Sequence, residues 1–237
     1  MKNASELLTN LIEEAKSIVF FGGAGVSTGS GIPDFRSATG LYNQQRNTNY
    51  SPETMLSYWF MVSHPQEFYT YKRENLHYPK AKPNLAHLAL ARLEARIPDL
   101  TVITQNIDGL HQAAGSKNVL ELHGSMQRFY CMKCHRDYPA ALVWEREGVP
   151  HCPVCDGMIR PDVVLYGENL DQRVMLRAES AIRRADLMIV GGTSLVVYPA
   201  AGLLHYFRGK SLVLINRDPT PYDHVATYVF HEDLGNL

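Results

Sequence analysis

Two Cys-x-x-Cys hooks, Cys131-Met-Lys-Cys134 and Cys152-Pro-Val-Cys155, contain all 4 cysteines of the chain. Hooks about 15–20 residues apart match a zinc ribbon, in which each knuckle presents two thiolates to one tetrahedral ion. Four thiolates leave no open coordination position, so the metal would hold a module together rather than activate water. Two disulfides are the alternative in an oxidising compartment, and a redox pair would need only one hook. His135 and His151 adjoin the hooks as substitute ligands that four cysteines make unnecessary.

A second kind of chemistry gathers where apolar runs stop. Leu100 to Thr104 ends in Gln105-Asn106-Ile107-Asp108-Gly109-Leu110-His111, and Val119 to Leu122 ends in His123-Gly124. Open α/β sheets bind ligands outside the carboxyl ends of their strands, so both polar ends aim at one crevice. Among 10 histidines, His123 stands apart because it follows a short strand and precedes a glycine. An imidazole with an ordinary pKa of about 6.5 suits proton transfer at neutral pH.

The stretch from Ile18 to Arg36 runs from four apolar residues into Gly22-Gly-Ala-Gly-Val-Ser-Thr-Gly29. Glycines after a strand let backbone N–H groups approach an anion, and a following helix N-terminus adds a favourable dipole. Gly23-x-Gly25 is followed by Gly29, not by a glycine three places after Gly25. Where a dinucleotide fold puts its acidic ribose partner stand Tyr42, Asn43 and Gln44. A generic Rossmann dehydrogenase is therefore disfavoured. Gly191-Gly192-Thr193-Ser194 forms a second small-residue loop suited to phosphate or ribose.

These groups need a sheet to carry them. Ile18–Phe21, Leu100–Thr104, Val119–Leu122, Leu187–Val190 and Ser211–Ile215 read as buried strands, the last stopping at Asn216. Helices are expected at Leu7, Leu8, Leu11, Ile12 and Ala15, from Asn84, over residues 170–185 and from Pro199. This alternation gives an α/β fold with a mostly parallel sheet, helices on both faces and the zinc ribbon inserted into it. Residues 37–83 read as a helical module with a mobile start, punctuated by Thr39-Gly40, Ser51-Pro52, His64-Pro65, Tyr78-Pro79 and Lys82-Pro83.

At 237 residues and 45% hydrophobic content the chain can bury a sizeable core. A net charge of -1 gives no global signal for nucleic acid or an anionic membrane. Met1 to Glu6 precede no apolar signal region. The uncharged run Leu187–Leu204 is broken by Gly191-Gly192-Thr193-Ser194 and Pro199, so it reads as core rather than a membrane span. A cytoplasmic protein is expected.

Taken together, Gly23-Ala-Gly-Val-Ser-Thr28, Gly31-Ile-Pro-Asp-Phe-Arg36, Thr104-Gln-Asn-Ile-Asp108, Leu122-His-Gly124, the cysteine hooks, Gly192-Thr-Ser194 and Asn216 resemble the ordered motifs of the sirtuins, NAD-dependent protein lysine deacylases. The resemblance runs from about residue 16 to residue 234 and is strongest to compact bacterial members. It implies a Rossmann-like NAD-binding domain of residues 1–36, 84–126 and 159–237. A smaller lobe would combine a flap and helical module, 37–83, with a zinc-ribbon module, 127–158.

By the same resemblance, Gly23, Ala24, Gly25, Ser27 and Thr28 would hold the pyrophosphate and nicotinamide ribose of NAD, under a flap containing Asp34, Phe35 and Arg36. Gln105 and Asn106 would hold ribose hydroxyls and an ordered water, with Asn106 also contributing to catalysis. Ile107 and Asp108 would receive the nicotinamide carboxamide. Gly192, Thr193, Ser194, Asn216, Asp233 and Leu234 would hold the adenosine half. The implied chemistry has the substrate's acyl oxygen attack C1 of the nicotinamide ribose. His123 then acts as general base on the ribose hydroxyls, and nicotinamide, free lysine and O-acetyl-ADP-ribose are released. An acylated-lysine protein or peptide would pair between Val163-Val164-Leu165-Tyr166 and the loop Val196-Val197-Tyr198, with Val164 and Val197 lining a lysine tunnel.

Family members preferring succinyl or malonyl lysine have Tyr-x-x-Arg in the helical module. The matching place here is Tyr69-Thr-Tyr-Lys72, and lysine does not replace arginine at a bidentate carboxylate site. Deacetylation is therefore expected to dominate over acidic acyl groups. The alternatives are a deacylase preferring acidic acyl groups, an NAD-dependent protein ADP-ribosyltransferase, or a zinc-ribbon binding module without catalysis. A monomer is expected. The chain ends at Leu237 just past the last expected strand, so the helix that often closes this domain would be short or absent.

Overall fold

A computed structural model describes residues 4–43 and 49–236. Along them lie nine strands, β1 (Ile18–Gly22), β2 (Leu100–Thr104), β3 (Val119–Glu121), β4 (Gly124–Cys131), β5 (Asp137–Pro139), β6 (Ile159–Val163), β7 (Leu187–Gly191), β8 (Ser211–Ile215) and β9 (Tyr228–Phe230). The helices are α1 (Ala4–Glu14), α2 (Pro52–Met55), α3 (Tyr58–Ser63), α4 (Pro65–Leu76), α5 (Leu85–Arg96), α6 (Leu110–Ala113), α7 (Ala140–Trp144) and α8 (Gln172–Arg184).

Six strands form a parallel sheet in the order β3-β2-β1-β7-β8-β9. Every residue of β1, β2 and β7 is buried, as expected of parallel strands covered on both faces. Alternation divides their side chains between two cores. Val19, Phe21, Ile103, Met188 and Val190 face Ala178, Ala181 and Ile182 of α8. Ile18, Phe20, Val102 and Ile189 face Leu8 of α1 and Leu90 of α5. Truncating Phe20 or Phe21 to alanine would cost roughly 3–5 kcal/mol.

Helix starts follow their caps. Asn84 accepts hydrogen bonds from the N–H groups of Ala86 and His87, and the His87 side chain returns to Asn84 in a capping box. Asp171 caps α8 through Arg173 and Val174. Two segments are 3-10 turns: Ala24–Ser30 after the first glycine loop, and Ala200–Tyr206 where a helix from Pro199 is expected. In the first, Gly25 and Gly29 disfavour a regular helix and Gly31, at φ 81°, ends it in the left-handed region. In the second, the Gly202 N–H reaches Pro199 rather than one residue further back. After β9, Leu234–Asn236 makes one 3-10 turn, while Leu237 and Gln44 lie outside the described residues.

The smaller lobe is built on an antiparallel sheet, β5-β4-β6. β4 and β6 pair from Gly124 with Val163 to Cys131 with Ile159, around an irregularity between Ser125 and Phe129. Phe60, Phe68 and Tyr69 from α3 and α4 pack with Phe129, Cys131, Cys152 and Ile159 in a single core. The helical module and the cysteine module, far apart in sequence, thus share one interior. Among the described residues, no helix is long and apolar enough to cross a membrane.

Candidate active site and metal centre

From β1 the chain goes to β2 and β3 on one side of the sheet, whereas β7 leads to β8 and β9 on the other. Such a switch leaves a crevice at the strands' carboxyl ends, and here the two glycine loops meet. The N–H groups of Gly23 and Gly25 donate to the carbonyls of Gly191 and Gly192 at 3.3 and 2.8 Å. A Cβ on Gly25 would lie 2.8 Å from the Gly192 Cα, and one on Gly192 would lie 2.5 Å from the Val26 nitrogen. Glycine is thus required on both sides of the contact. The opening they border belongs to a cleft of about 1020 Å³ between the large sheet and the smaller lobe.

Polar groups from β2 and β3 converge on it. The Ser27 hydroxyl donates to Asp108 at 2.7 Å and accepts from the Asn106 amide at 3.0 Å, while the second Asp108 oxygen accepts from the Leu110 N–H at 2.8 Å. The Gln105 amide donates to the Thr193 hydroxyl at 3.0 Å, and the Gln105 N–H donates to the Gly22 carbonyl at 3.0 Å. The Gln105 carbonyl lies 3.0 Å from Nδ1 of His123. A carbonyl only accepts, so Nδ1 holds the ring proton and Nε2 keeps the lone pair. Burial lowers the His123 pKa below the ordinary imidazole value, partly offset by the Gln105 bond. The ring is consequently neutral at pH 7 and fit to act as a base.

The backbone around His123 is equally constrained. Its carbonyl accepts from the Val164 N–H at 3.0 Å. Gly124 follows at φ 75°, where a Cβ would sit 2.0 Å from the Asp162 carbonyl oxygen. Beyond it, Arg160, 5% exposed at its side chain, meets Glu168 through two bonds of 2.7 Å, and Glu168 accepts from the Leu165 N–H at 2.9 Å. This ion pair fixes the extended segment after β6 as a wall of the cleft.

The four cysteine sulfurs lie within 4.8 Å of one another. Cys131 and Cys155 sulfurs are 3.5 Å apart, and those of Cys134 and Cys152 3.7 Å. A tetrahedral ion with Zn–S bonds of about 2.3 Å requires sulfurs about 3.8 Å apart, whereas a disulfide needs about 2.05 Å. All four cysteines are free thiols, placed to bind a structural zinc. His135 and His151 are not in the group, and His151 engages Asp156 instead.

The fold and its motifs have a known counterpart: the Sir2 family model matches residues 23–199. The chain belongs to the Sir2 family. An NAD-dependent protein deacetylase of Clostridium perfringens is 53% identical over 231 residues, covering 97% of this chain and 95% of the relative. A solved Sir2 with a p53 peptide and NAD+ superposes with a TM-score of 0.85 at 42% identity, covering 99% of this chain and 95% of that one. Another, holding a deacetylated p53 peptide and 3'-O-acetyl ADP ribose, gives 0.88 at 42% identity, with 97% and 94% covered.

In this Sir2 family member most residues singled out from sequence line the one cleft. Gly23, Ala24, Gly25 and Ser27 stand on its wall with Asp34, Phe35 and Arg36. Gln105 to Asp108 and His123 form its floor, and Gly192, Thr193, Ser194, Asn216, Asp233 and Leu234 its far end. Val163 to Tyr166 and Lys72 line the cleft beside the smaller sheet, and Val197 lines it from the loop after β7. Three are elsewhere. Thr28 turns its hydroxyl back to the Gly25 carbonyl at 2.9 Å, Val196 is 47% exposed, and Tyr69 is buried with its hydroxyl donating to the Ile159 carbonyl. Sequence reasoning missed the Arg160–Glu168 pair, whose only signal was opposite charges flanking an apolar segment. It also missed Arg217, whose guanidinium lies 3.5 Å from the Asp34 carboxylate.

Proposed function

We propose that this Sir2 family member is an NAD-dependent protein lysine deacetylase acting on acylated-lysine proteins or peptides. The observation that carries this reading is His123. With Nδ1 committed to the Gln105 carbonyl, it presents a basic Nε2 to a cleft bordered by both glycine loops.

When bound, NAD would supply an electrophilic ribose carbon and, once nicotinamide leaves, an ADP-ribosyl acceptor for the acyl group. Gly23 to Gly25 and Gly192 to Ser194 would hold its phosphates and ribose, with Asn216, Asp233 and Leu234 at the adenosine end. Ile107 and Asp108 would receive the carboxamide, with Thr28 supporting its own turn. Phe35 and Arg36 would exclude water from the reacting centre. Asn106, 9% exposed and tied to Ser27, would orient a hydroxyl or a water. His123 would take a ribose hydroxyl proton on Nε2. The peptide would add as a strand between Val163–Tyr166 and Val196–Tyr198.

Acetyl is the favoured acyl group. Tyr69 spends its hydroxyl on a main-chain carbonyl, so it cannot join Lys72 in clasping an acyl carboxylate. The four thiols would hold zinc as a structural ion, and the protein would be cytoplasmic. The protein would act as a monomer. The nucleotide-binding domain would comprise residues 1–36, 84–126 and 159–237. The helical and zinc modules, 37–83 and 127–158, would form the second lobe, drawn slightly wider where β4 and β6 pair.

Mass spectrometry after incubation with NAD and an acetyl-lysine peptide tests the reading. Nicotinamide, deacetylated peptide and O-acetyl-ADP-ribose in equal amounts are expected. A stable ADP-ribosyl mass gain on protein would overturn it in favour of transfer to a side chain.

A further inference from the structure

The segment after β6 touches more of the site than its proposed pairing with peptide requires. At Val164 its N–H donates to the His123 carbonyl at 3.0 Å. At Tyr166 its N–H donates to the Leu56 carbonyl at 3.1 Å, and its carbonyl accepts from the Tyr58 N–H at 3.0 Å, forming a parallel bridge with Ser57. The Tyr166 side chain points away from these anchors, and its hydroxyl lies 2.8 Å from that of Tyr42. This is a contact between distant parts of the chain, with the loop of Phe35 and Arg36 on its other side.

That loop is compact. One Asp34 oxygen accepts from the N–H groups of Arg36 and Ser37 at 3.0 and 2.8 Å. Leu41 N–H donates to the Asp34 carbonyl at 2.8 Å, and Tyr42 N–H to the Phe35 carbonyl at 2.9 Å. A Cβ on Gly40 would come within 2.7 Å of the Arg36 nitrogen, so the turn closes tightly. The Tyr42 ring meets Phe35 edge-on at 5.4 Å and lies under the Arg36 guanidinium at 5.2 Å. Whatever displaces Tyr42 therefore displaces Phe35 and Arg36.

We infer that the Tyr42–Tyr166 hydroxyl pair is a tether that couples acyl-peptide binding along Val163–Tyr166 to the placement of Phe35 and Arg36, making Tyr42 a positioning residue for the reaction. This rests on the proposed deacetylase reading. Peptide pairing adds to the anchors that already hold the segment, Tyr166 passes that added restraint to Tyr42, and the Phe35–Arg36 loop is held most firmly over the reacting centre when acyl substrate is present. The coupling keeps water from the NAD glycosidic bond while a peptide is in place to use it, and its loss lets the loop open and admit water.

Amide hydrogen exchange over residues 34–42, measured with and without acetyl-lysine peptide, reads the tether without turnover. In wild type, peptide should slow exchange there by about threefold to tenfold. In Tyr166→Phe and Tyr42→Phe, which keep the rings and lose one hydroxyl each, that slowing should vanish while peptide still binds. In turnover, both variants should release more nicotinamide than deacetylated peptide, at least twofold in excess, and the double variant should be no worse than either single. Equal slowing in wild type and variants, or single effects that multiply in the double, would overturn the tether. Absence of deacetylation by wild type would instead sink the functional reading, leaving exchange to decide the tether. If one variant fails to fold, the other carries the comparison.

Discussion

Replacing Lys72 by methionine should stabilise the protein, by an amount set by where its ammonium is buried. Lys72 is 1% exposed, and its Nζ has no hydrogen-bond partner among the described residues. It lies 5.0 Å from the Phe68 ring centre. Burial, reinforced by the Arg160 charge and opposed by Glu168, pushes its pKa down to about 7. The unfolded chain, with a lysine pKa of about 10.4, holds more protons than the folded one between about pH 7 and pH 10, so stability must rise with pH through that window. At pH 7 the penalty approaches 4 kcal/mol as an upper bound, since each pKa unit is worth about 1.4 kcal/mol. Methionine removes the charge at similar volume. A gain of about 2–4 kcal/mol at pH 7 is expected, or about 5–12 °C in Tm for a domain of this size. By pH 10 the advantage should fall below about 1 kcal/mol. Urea unfolding of both proteins at pH 7, 8.5 and 10 measures this. A variant no more stable than wild type at pH 7, or an advantage unchanged by pH, would refute the argument.

His123→Ala should lower deacetylation by about 10²–10⁴ while NAD affinity, measured by calorimetry, stays within a few fold. Because burial lowers the His123 pKa, the acid limb of the wild-type kcat/KM profile should lie below about pH 6.5; a limb above 7 would count against this base. Cys131→Ser should lower zinc content, measured by elemental analysis, together with thermal stability. Burial and the neighbouring His87 lower the His111 pKa to about 3, and both its ring nitrogens are buried without hydrogen-bond partners among the described residues. The unfolded chain therefore takes up this proton first, and stability should fall as pH drops from about 6.5 toward 3. His111→Phe should flatten that decline in acid unfolding curves.

The central sheet was legible because strands buried on both faces are continuous apolar runs stopped by small or polar residues. Ile18–Phe21 before Gly22 and Ser211–Ile215 before Asn216 are such runs, and the polar groups past their ends are in the cleft. The smaller sheet was not legible in the same way. β6 contains Arg160, Pro161 and Asp162, a poor local strand signal rescued by pairing with β4 and by the partner that Glu168 provides for Arg160. Tyr69 and Lys72, three apart on one helix, form a pair by spacing alone. Their separation into core and cleft wall depends on the Ile159 carbonyl, a partner 90 positions away. The 3-10 turn at Ala200–Tyr206 escaped because apolar content signals a helix without specifying its hydrogen-bond step.

The shared interior of the smaller lobe sets an order of events during synthesis. Phe60, Phe68 and Tyr69 leave the ribosome long before Phe129, Cys152 and Ile159, the residues that cover them. At roughly 5–20 residues per second, translation from Leu76 to Ile159 takes on the order of 4–16 s. Throughout that interval the aromatic helices are an uncovered surface, and the lobe cannot close until both cysteine hooks have emerged. Binding of zinc by all four thiols therefore comes late in synthesis, after Cys155 has emerged, and zinc depletion during expression is expected to raise the aggregated fraction before it lowers the specific activity of the folded enzyme.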